Sequence, residues 1–329
     1  MAVEAKKAVL EFEKPLAALE EQIEALRPGA EGGDAAAAAE LAAREEELER
    51  RRAEVYANLT AWDRVLLARH PDRPYTMDYV RRLVERPLEF HGDRLFRDDQ
   101  AILCGVGWFR GRKVVWMGHE KGRKTADKIE HNFGSPHPEG YRKALRVMKL
   151  AEKFRLPILS FLDTAGAYPG IGAEERGQAV AIASNVLEMF NLHVPFVVAV
   201  IGEGGSGGAF GIGVGNRVLI QEYAYYSVIS PEGCAAILWR DRAYAPQAAA
   251  ALKITPQDLL SLGVVDEIVE EPPYGAQGDY DRAAELLGDA LERRLAELEK
   301  MSGDELLEDR RKKFLAMGFF EEGKVRGGE

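Results

Sequence analysis

Cysteine is nearly absent from this 329-residue chain: only Cys104 and Cys234 occur. Two thiols exclude a disulfide framework and a four-thiolate zinc site. Histidine is sparse too, with six residues (His70, His91, His119, His131, His137, His193) and no pair at one-turn helical spacing. No metal site is therefore expected in this chain. Long apolar runs are missing as well. The longest, Val194 to Ile201, contains Pro195 and falls far short of the roughly 20 residues that span a bilayer. Met1-Ala-Val-Glu-Ala-Lys-Lys has no apolar stretch behind its lysines, so no secretory signal is expected and the reading is cytoplasmic, without membrane.

What is present is ordinary for a globular protein: 46% hydrophobic and 30% charged residues, too apolar for disorder. Length allows one extended α/β domain or two units. The net charge of −10 is unevenly spread. Residues 1–60 carry 8 basic and 14 acidic side chains and residues 281–329 carry 10 and 13, whereas residues 110–146 carry 10 basic and 4 acidic. A basic stripe inside an acidic chain points to an anionic small ligand or partner more than to nucleic acid.

The first 60 residues read as a helical hairpin extension in which catalysis is not expected. Pro15 suits a first turn, and Leu16, Leu19, Ile23 and Leu26 recur at helical spacing. Residues 27–34 break that helix and Asp34 caps the next, where Leu41, Leu48 and Val55 lie seven apart. Residues 60–100 read as a connector with a short helix capped by Thr76 and running to Arg86. From residue 101 the pattern changes to a hairpin over 101–117, turning at Arg110-Gly111-Arg112. Then come a helix over 141–154, a buried strand over 157–162, a helix over 173–191, a buried strand over 194–201 and a small-residue helix from Gly207. Strands over 217–221 and 225–229, helices over 231–239 and 243–253, and a strand over 264–269 follow. Near-continuous apolar strands between helices imply a sheet covered on both faces. A leucine-striped helix over 280–300, ending at Gly303, and a shorter one carrying Phe314, Met317 and Phe320 complete the chain. The expected division is 1–60, 61–275 and 276–329, the last a C-terminal helical assembly segment.

Two glycine-rich loops follow buried strands: Asp163-Thr-Ala-Gly-Ala-Tyr-Pro-Gly170, continuing to Gly177, and Gly202-Glu-Gly-Gly-Ser-Gly-Gly-Ala-Phe-Gly-Ile-Gly213. Each lies at the carboxyl end of a strand, where α/β folds place ligands. Glycine admits close backbone approach, and free amides at a helix start attract negative charge. The plainer alternative is that Gly207, Gly208, Gly211 and Gly213 only let a helix pack against the sheet. Gly202, Gly204 and Gly207 fit a dinucleotide fingerprint, but several strand–helix units precede it. Gly204 to Gly208 also fits the nucleophile-elbow pattern around Ser206. A hydrolase triad needs a later histidine, none follows His193, and Ser206 reads as a small loop residue. Cys234 reads as buried and apolar. Residues 121–128 are either solvated surface or an anion clamp, and Tyr168 either meets a planar ligand or packs.

Taken together, the first loop, Gly172-Ala-Glu-Glu-Arg-Gly-Gln178, the stretch from Ile201 to Ala209 and Val228-Ile-Ser-Pro-Glu-Gly-Cys234 resemble the carboxyltransferase alpha-subunit family of bacterial multisubunit acetyl-CoA carboxylase. Residues 68–75, 132–134 and 138–144 support it. The resemblance runs from about residue 10 to 320. Ala165 stands where the family usually has Pro, which softens the first loop without removing its amides.

The resemblance implies an α/β fold of the crotonase-like (ClpP/crotonase) type, repeated ββα units in a superhelix with helical extensions at both ends. It implies carboxyl transfer from carboxybiotin, held on a separate biotin carboxyl carrier protein, to acetyl-CoA, giving malonyl-CoA for fatty acid synthesis. It further implies an α2β2 assembly with a zinc-bearing beta subunit, and biotin carboxylase as another partner. Negative charge develops on the biotin ureido oxygen and on the thioester oxygen, and preorganised amides stabilise both. Freed biotin can take the proton, so no protein base is required. By this resemblance the alpha subunit holds the biotin side. Gly207 and Gly208 are the foremost amide pair, Gly204 and Gly205 the alternates, and Gly166, Ala167 and Tyr168 close the pocket. Arg123 and Lys124, with Lys121, are expected to neutralise CoA phosphates or the carboxybiotin carboxylate. Replacing Gly208 with Val is expected to abolish turnover with the fold intact. The rivals are a Ser206 hydrolase, a scaffold and a nicotinamide enzyme.

Overall fold

The computed structural model describes residues 9–318. The N-terminal hairpin is there: α1 (Lys14–Glu31) and α2 (Ala35–Ala57). α1 runs through Pro28 and Gly29 before turning at Gly33 (φ 87°), so the break comes later than expected. Pro28 lacks the amide that would bond to the Glu24 carbonyl, and the helix ends within one turn of it. Asp34 caps α2 by accepting from the amides of Ala36 and Ala37. The hairpin buries Leu16, Leu19, Ile23, Leu48 and Tyr56 against Leu67 and Tyr223.

After α3 (Ala61–Ala68) comes α4 (Thr76–Leu83), which is shorter than expected. Thr76 is not its cap: Tyr75 holds that position, its amide bonded to Asp78, while the Thr76 hydroxyl donates to the His119 carbonyl at 2.5 Å. Residues 84–86, expected to extend this helix, instead open an edge strand, β1 (Val84–Glu89), antiparallel to β2 (Ile102–Phe109). Pro87 is tolerated on such an edge. β2 and β3 (Arg112–His119) make the expected hairpin.

Beyond it lie α5 (Thr125–Glu130), α6 (Pro138–Phe154), β4 (Ile158–Thr164), α7 (Ile171–Glu175), α8 (Gln178–Met189), β5 (Phe196–Gly205) and α9 (Ser206–Phe210). The single helix expected over 173–191 is two, separated at Gly177 with φ 83°. The remaining elements are β6 (Arg217–Gln221), β7 (Tyr225–Ser227), α10 (Pro231–Leu238), α11 (Ala245–Ala251), α12 (Pro256–Ser261), β8 (Glu267–Val269), α13 (Tyr280–Leu298) and α14 (Gly303–Leu315). Gly303 opens α14 and does not end α13. Phe320 lies outside the described residues.

The sheet order is β1-β2-β3-β4-β5-β6-β8. From β3 onward all pairings are parallel. β5 carries two partners in succession on one edge: residues 197–200 pair with β6, and residues 203–205 with β7. The sheet divides there, at the second glycine loop. Alternate residues of each strand face opposite cores. Val115, Met117, Val198 and Val200 pack under Tyr141, Val147 and Met148 of α6. Val114, Trp116, Val197 and Ile201 pack on the other face, against Leu287, Leu291, Leu295 and Leu298 of α13. Burial on both faces is why these strands read as unbroken apolar runs. The leucine stripe of α13 is thus part of the central core.

α14 is tied in by Arg310, fully buried. Its guanidinium donates to the carbonyls of Met189 (2.5 Å), Leu192 (2.9 Å) and Val194 (3.1 Å) and to Oδ1 of Asn216 (2.6 Å). Replacing it by Met leaves four acceptors dry, each costing about 1–3 kcal/mol before relaxation. Arg310→Met should therefore lose roughly 3 kcal/mol or more in urea unfolding, whereas exposed Arg311→Met should stay within about 0.5 kcal/mol of wild type.

Candidate active site

β4 and β5 run side by side and release the two glycine loops at neighbouring carboxyl ends, with Thr164 opposite Gly204. The loops touch backbone to backbone. A Cβ on Gly208 would lie 2.5 Å from the Ala167 nitrogen and the Gly166 carbonyl carbon; one on Gly205 would lie 2.3 Å from the Ala165 carbonyl oxygen. Gly204 is crowded by the Tyr226 ring, at 2.6 Å. Space, not backbone freedom, requires these glycines, since none of them lies in the left-handed region.

Gly207 differs. A Cβ there would meet only the Ile182 methyls, at 3.9 Å. It borders a cleft of about 560 Å³ walled by Phe210, Val218, Tyr226, Leu252, Ile254 and Phe314. Ser206, exposed, also borders this cleft and holds φ 55°, a left-handed conformation costly for a non-glycine residue. Gly207 and Gly208 are the second and third residues of α9, so their amides lack intrahelical acceptors, and no side chain caps the helix. One of these two donors, Gly207, belongs to a residue bordering the apolar cleft, and the other, Gly208, to a residue packed against the first loop.

The first loop supports them. The Gly166 amide is bonded to Thr164 Oγ1 at 3.0 Å, and Gly166 itself sits at φ 152°. Ala167 packs against the core. The Tyr168 amide donates to the Pro136 carbonyl (3.0 Å), and its ring lies 4.2 Å from that of His137. So Gly166 and Tyr168 use their amides within the chain.

Beneath both loops lies a charge cluster that the sequence did not reveal. Lys121 Nζ sits 2.6 Å from Asp163 Oδ1 and 2.8 Å from Glu203 Oε1. Arg69 bridges Glu203 (2.7 Å) and Glu232 (2.5 Å), and the Tyr225 hydroxyl donates to Glu203 (2.7 Å). Burial pushes Glu203 up, but the Lys121 and Arg69 charges outweigh it and hold the carboxyl at about 2. Burial raises Asp163 despite Lys121. A polar residue at the carboxyl end of an apolar strand, as Asp163 and His119 both are, was the available signal.

The basic stripe is therefore largely bound within the chain. Lys121 serves the cluster. Arg123 donates to the carbonyls of Pro71 and Arg73 (both 2.9 Å), pairs with Asp78 and lies 4.1 Å over the Tyr75 ring. That commits the guanidinium to the 71–78 turn, not to a free anion clamp. Lys124 is exposed at the start of α5. Cys234 is buried, as read. Among the described residues no group of His, Cys, Asp and Glu is placed to hold a metal. No described helix is long and apolar enough to cross a membrane.

Solved structures with similar folds are carboxyl-handling proteins. The P. aeruginosa geranyl-CoA carboxylase beta subunit aligns at TM-score 0.53 and 18% identity, covering 74% of this chain and 46% of that one. A transcarboxylase 12S structure aligns at 0.54 and 17%, covering 68% and 42%, so this chain spans less than half the length of either. These likenesses show the fold: a largely parallel α/β sheet covered by helices, shared with proteins named for carboxyl transfer. The chain also matches the family described as acetyl co-enzyme A carboxylase carboxyltransferase-like over residues 9–318. It is 53% identical over 313 residues to the acetyl-coenzyme A carboxylase carboxyl transferase subunit alpha of Thermus thermophilus, covering 95% of this chain and 99% of the relative. The Oceanobacillus iheyensis subunit of the same name is 50% identical over 312 residues, covering 95% and 98%. The chain belongs to the acetyl-CoA carboxylase carboxyltransferase alpha-subunit family.

The contact at Gly208 corrects the expectation that a larger residue there leaves the fold intact. Overpacking against backbone costs about 1–3 kcal/mol, so Gly208→Ala should lower the thermal midpoint, whereas Gly207→Ala should leave it unchanged or slightly raised.

A second prediction concerns acid. Burial, with the Lys121 charge adding to it, pushes the His119 ring down to about 3. Its ordinary value is about 6.5, so between these values the unfolded chain takes up a proton that the folded chain refuses, and stability falls as pH falls. Glu203 acts with the same sign lower down, between about 4.5 and 2. Glu120, pushed up to about 7 by burial, and Asp99, up to about 6, oppose His119 in its window. The His119 contribution is therefore read as a difference: between pH 6.5 and 4.5, His119→Gln should lose about 2–3 kcal/mol less than wild type.

Proposed function

We propose that this chain is the biotin-side half of an acetyl-CoA carboxylase carboxyltransferase, acting in the cytoplasm with a zinc-bearing beta subunit in an α2β2 assembly. Carboxybiotin, delivered on biotin carboxyl carrier protein after charging by biotin carboxylase, supplies the carboxyl group for transfer to acetyl-CoA, giving malonyl-CoA. One observation carries this reading: Gly207 borders the cleft, a Cβ there would meet only the Ile182 methyls at 3.9 Å, and its amide, second in α9, has no intrahelical acceptor. Nothing within the chain requires glycine there, so the space serves a ligand.

The chain's part is electrostatic. The Gly207 and Gly208 amides donate to a developing oxyanion, and the apolar cleft walls exclude water that would weaken those bonds. Gly204 and Gly205 shape the strand end behind them, and Gly166 and Ala167 press against Gly208 from the first loop, which also carries Tyr168. Lys124, exposed at the start of α5, is offered as a contact for anionic groups of the partner substrate.

The serine-hydrolase rival gains one point from the structure, since Ser206 turns from strand to helix with left-handed backbone as a nucleophile elbow does. It lacks a base. The ring of His119, which reaches this loop, has both nitrogens engaged with backbone groups, Asp163 N and Gly208 O, each at 3.3 Å. A fluorophosphonate probe should leave Ser206 unlabelled.

Mixing the chain with its beta partner, carboxybiotin and acetyl-CoA should yield malonyl-CoA. Gly207→Ala should keep its melting temperature and lose about 10²-fold or more in turnover, the usual toll of disturbing one oxyanion donor. A Gly207→Ala enzyme with normal turnover would remove the second loop from the site.

A further inference from the structure

His119 ends β3 directly beneath the two loops, its ring fully buried. Nδ1 lies 3.3 Å from the Asp163 amide and Nε2 lies 3.3 Å from the Gly208 carbonyl oxygen. A backbone amide only donates, so the Asp163 contact casts Nδ1 as its unprotonated acceptor, with the Phe161 carbonyl also facing the ring. A carbonyl only accepts, so Nε2 must carry the proton. One neutral tautomer satisfies both contacts, and a second proton would set N–H against N–H. The ring therefore joins the residue that opens the first loop to a residue inside the second.

The second loop needs such a brace. Gly207 and Gly208 have the widest backbone freedom of any residue, and no side chain caps α9. Local sequence leaves the peptide planes there underdetermined. Three long-range or turn contacts fix them: the Gly211 amide on the Gly207 carbonyl (2.9 Å), and His119 and the Tyr141 hydroxyl (3.2 Å) on the Gly208 carbonyl. Only His119 also holds the first loop.

We propose that His119, as its Nε2–H tautomer, is a positioning residue for carboxyl transfer: it holds the Gly208 peptide in register with the first loop, so that the neighbouring amides point at the developing anion. This rests on the carboxyltransferase reading above. The ring touches no reacting atom. Its effect comes from aim, and a misplacement of about 1 Å at a reacting centre costs on the order of 10²-fold.

The test uses the full chain assembled with its beta partner. His119→Gln keeps a donor and an acceptor on one side chain; His119→Phe keeps ring volume and removes both. His119→Phe should lower kcat about 10- to 100-fold with the KM for acetyl-CoA within about twofold, and His119→Gln should restore kcat to within about fivefold of wild type. Near-normal kcat in His119→Phe, or equal losses in Phe and Gln, would overturn the proposal. Should His119→Phe fail to fold, ¹⁵N spectra of histidine-labelled wild type decide. A proton on Nε2 alone, unchanged from pH 8 to 6, supports it; a proton on Nδ1, or titration near 6.5, overturns it. Absence of transfer in the wild-type complex would instead strike the carboxyltransferase reading, and the spectra would still report the tautomer.

Discussion

The site depends on a contact between two backbones with no side chain between them. Where Gly205 and Gly208 meet residues 164–167, a single methyl group would not fit. Side-chain packing adjusts by rotamer changes; backbone packing cannot. The amides of the second loop are therefore referenced to β4 and β5 themselves, the most deeply buried strands of the sheet. A rigid reference suits donors that must be in place before charge develops, because no reorganisation is then needed as the reaction proceeds.

Burying charge beneath that contact looks unfavourable, since each ion loses water. The arrangement works because every member faces an opposite charge or a dipole. Lys121 sits between two carboxylates, Glu203 between two cations, and the Glu203 amide donates to Asp163 at 2.9 Å. The cluster joins the residues just after α3 and β3 to β4, β5, β7 and α10, segments far apart in sequence. It ties together the carboxyl ends of strands that are buried along their whole length. Removing one member would leave its partners buried and uncompensated, so the cluster resists piecemeal change.

Much of this was legible beforehand, and the misses share a cause. Strand positions followed from apolar runs, and the glycine loops from their place after those runs. The motif resemblance supplied the family that the comparisons bear out. Local rules failed where long-range contacts decide. Residues 84–86 look helical by continuation from residue 76, yet β2 offers them a sheet edge. Arg123 and Lys121 look alike in sequence, but one meets the 71–78 turn and the other Asp163 and Glu203. Gly207 and Gly208 are adjacent and identical, and only their surroundings separate a position tight against backbone from one open to a cleft. Pattern reading sees residue types; it does not see which side of a loop is full.

Arg310 gives the chain an order of completion. The carbonyls it satisfies belong to residues 189–194, which leave the ribosome more than a hundred residues before it does. Until α14 arrives, the turn leading into β5 holds its polar groups toward a half-formed interior, and β5 itself awaits β6 and β7 along its other edge. The turn leading into β5 thus gains its guanidinium partner only after α14 has been made.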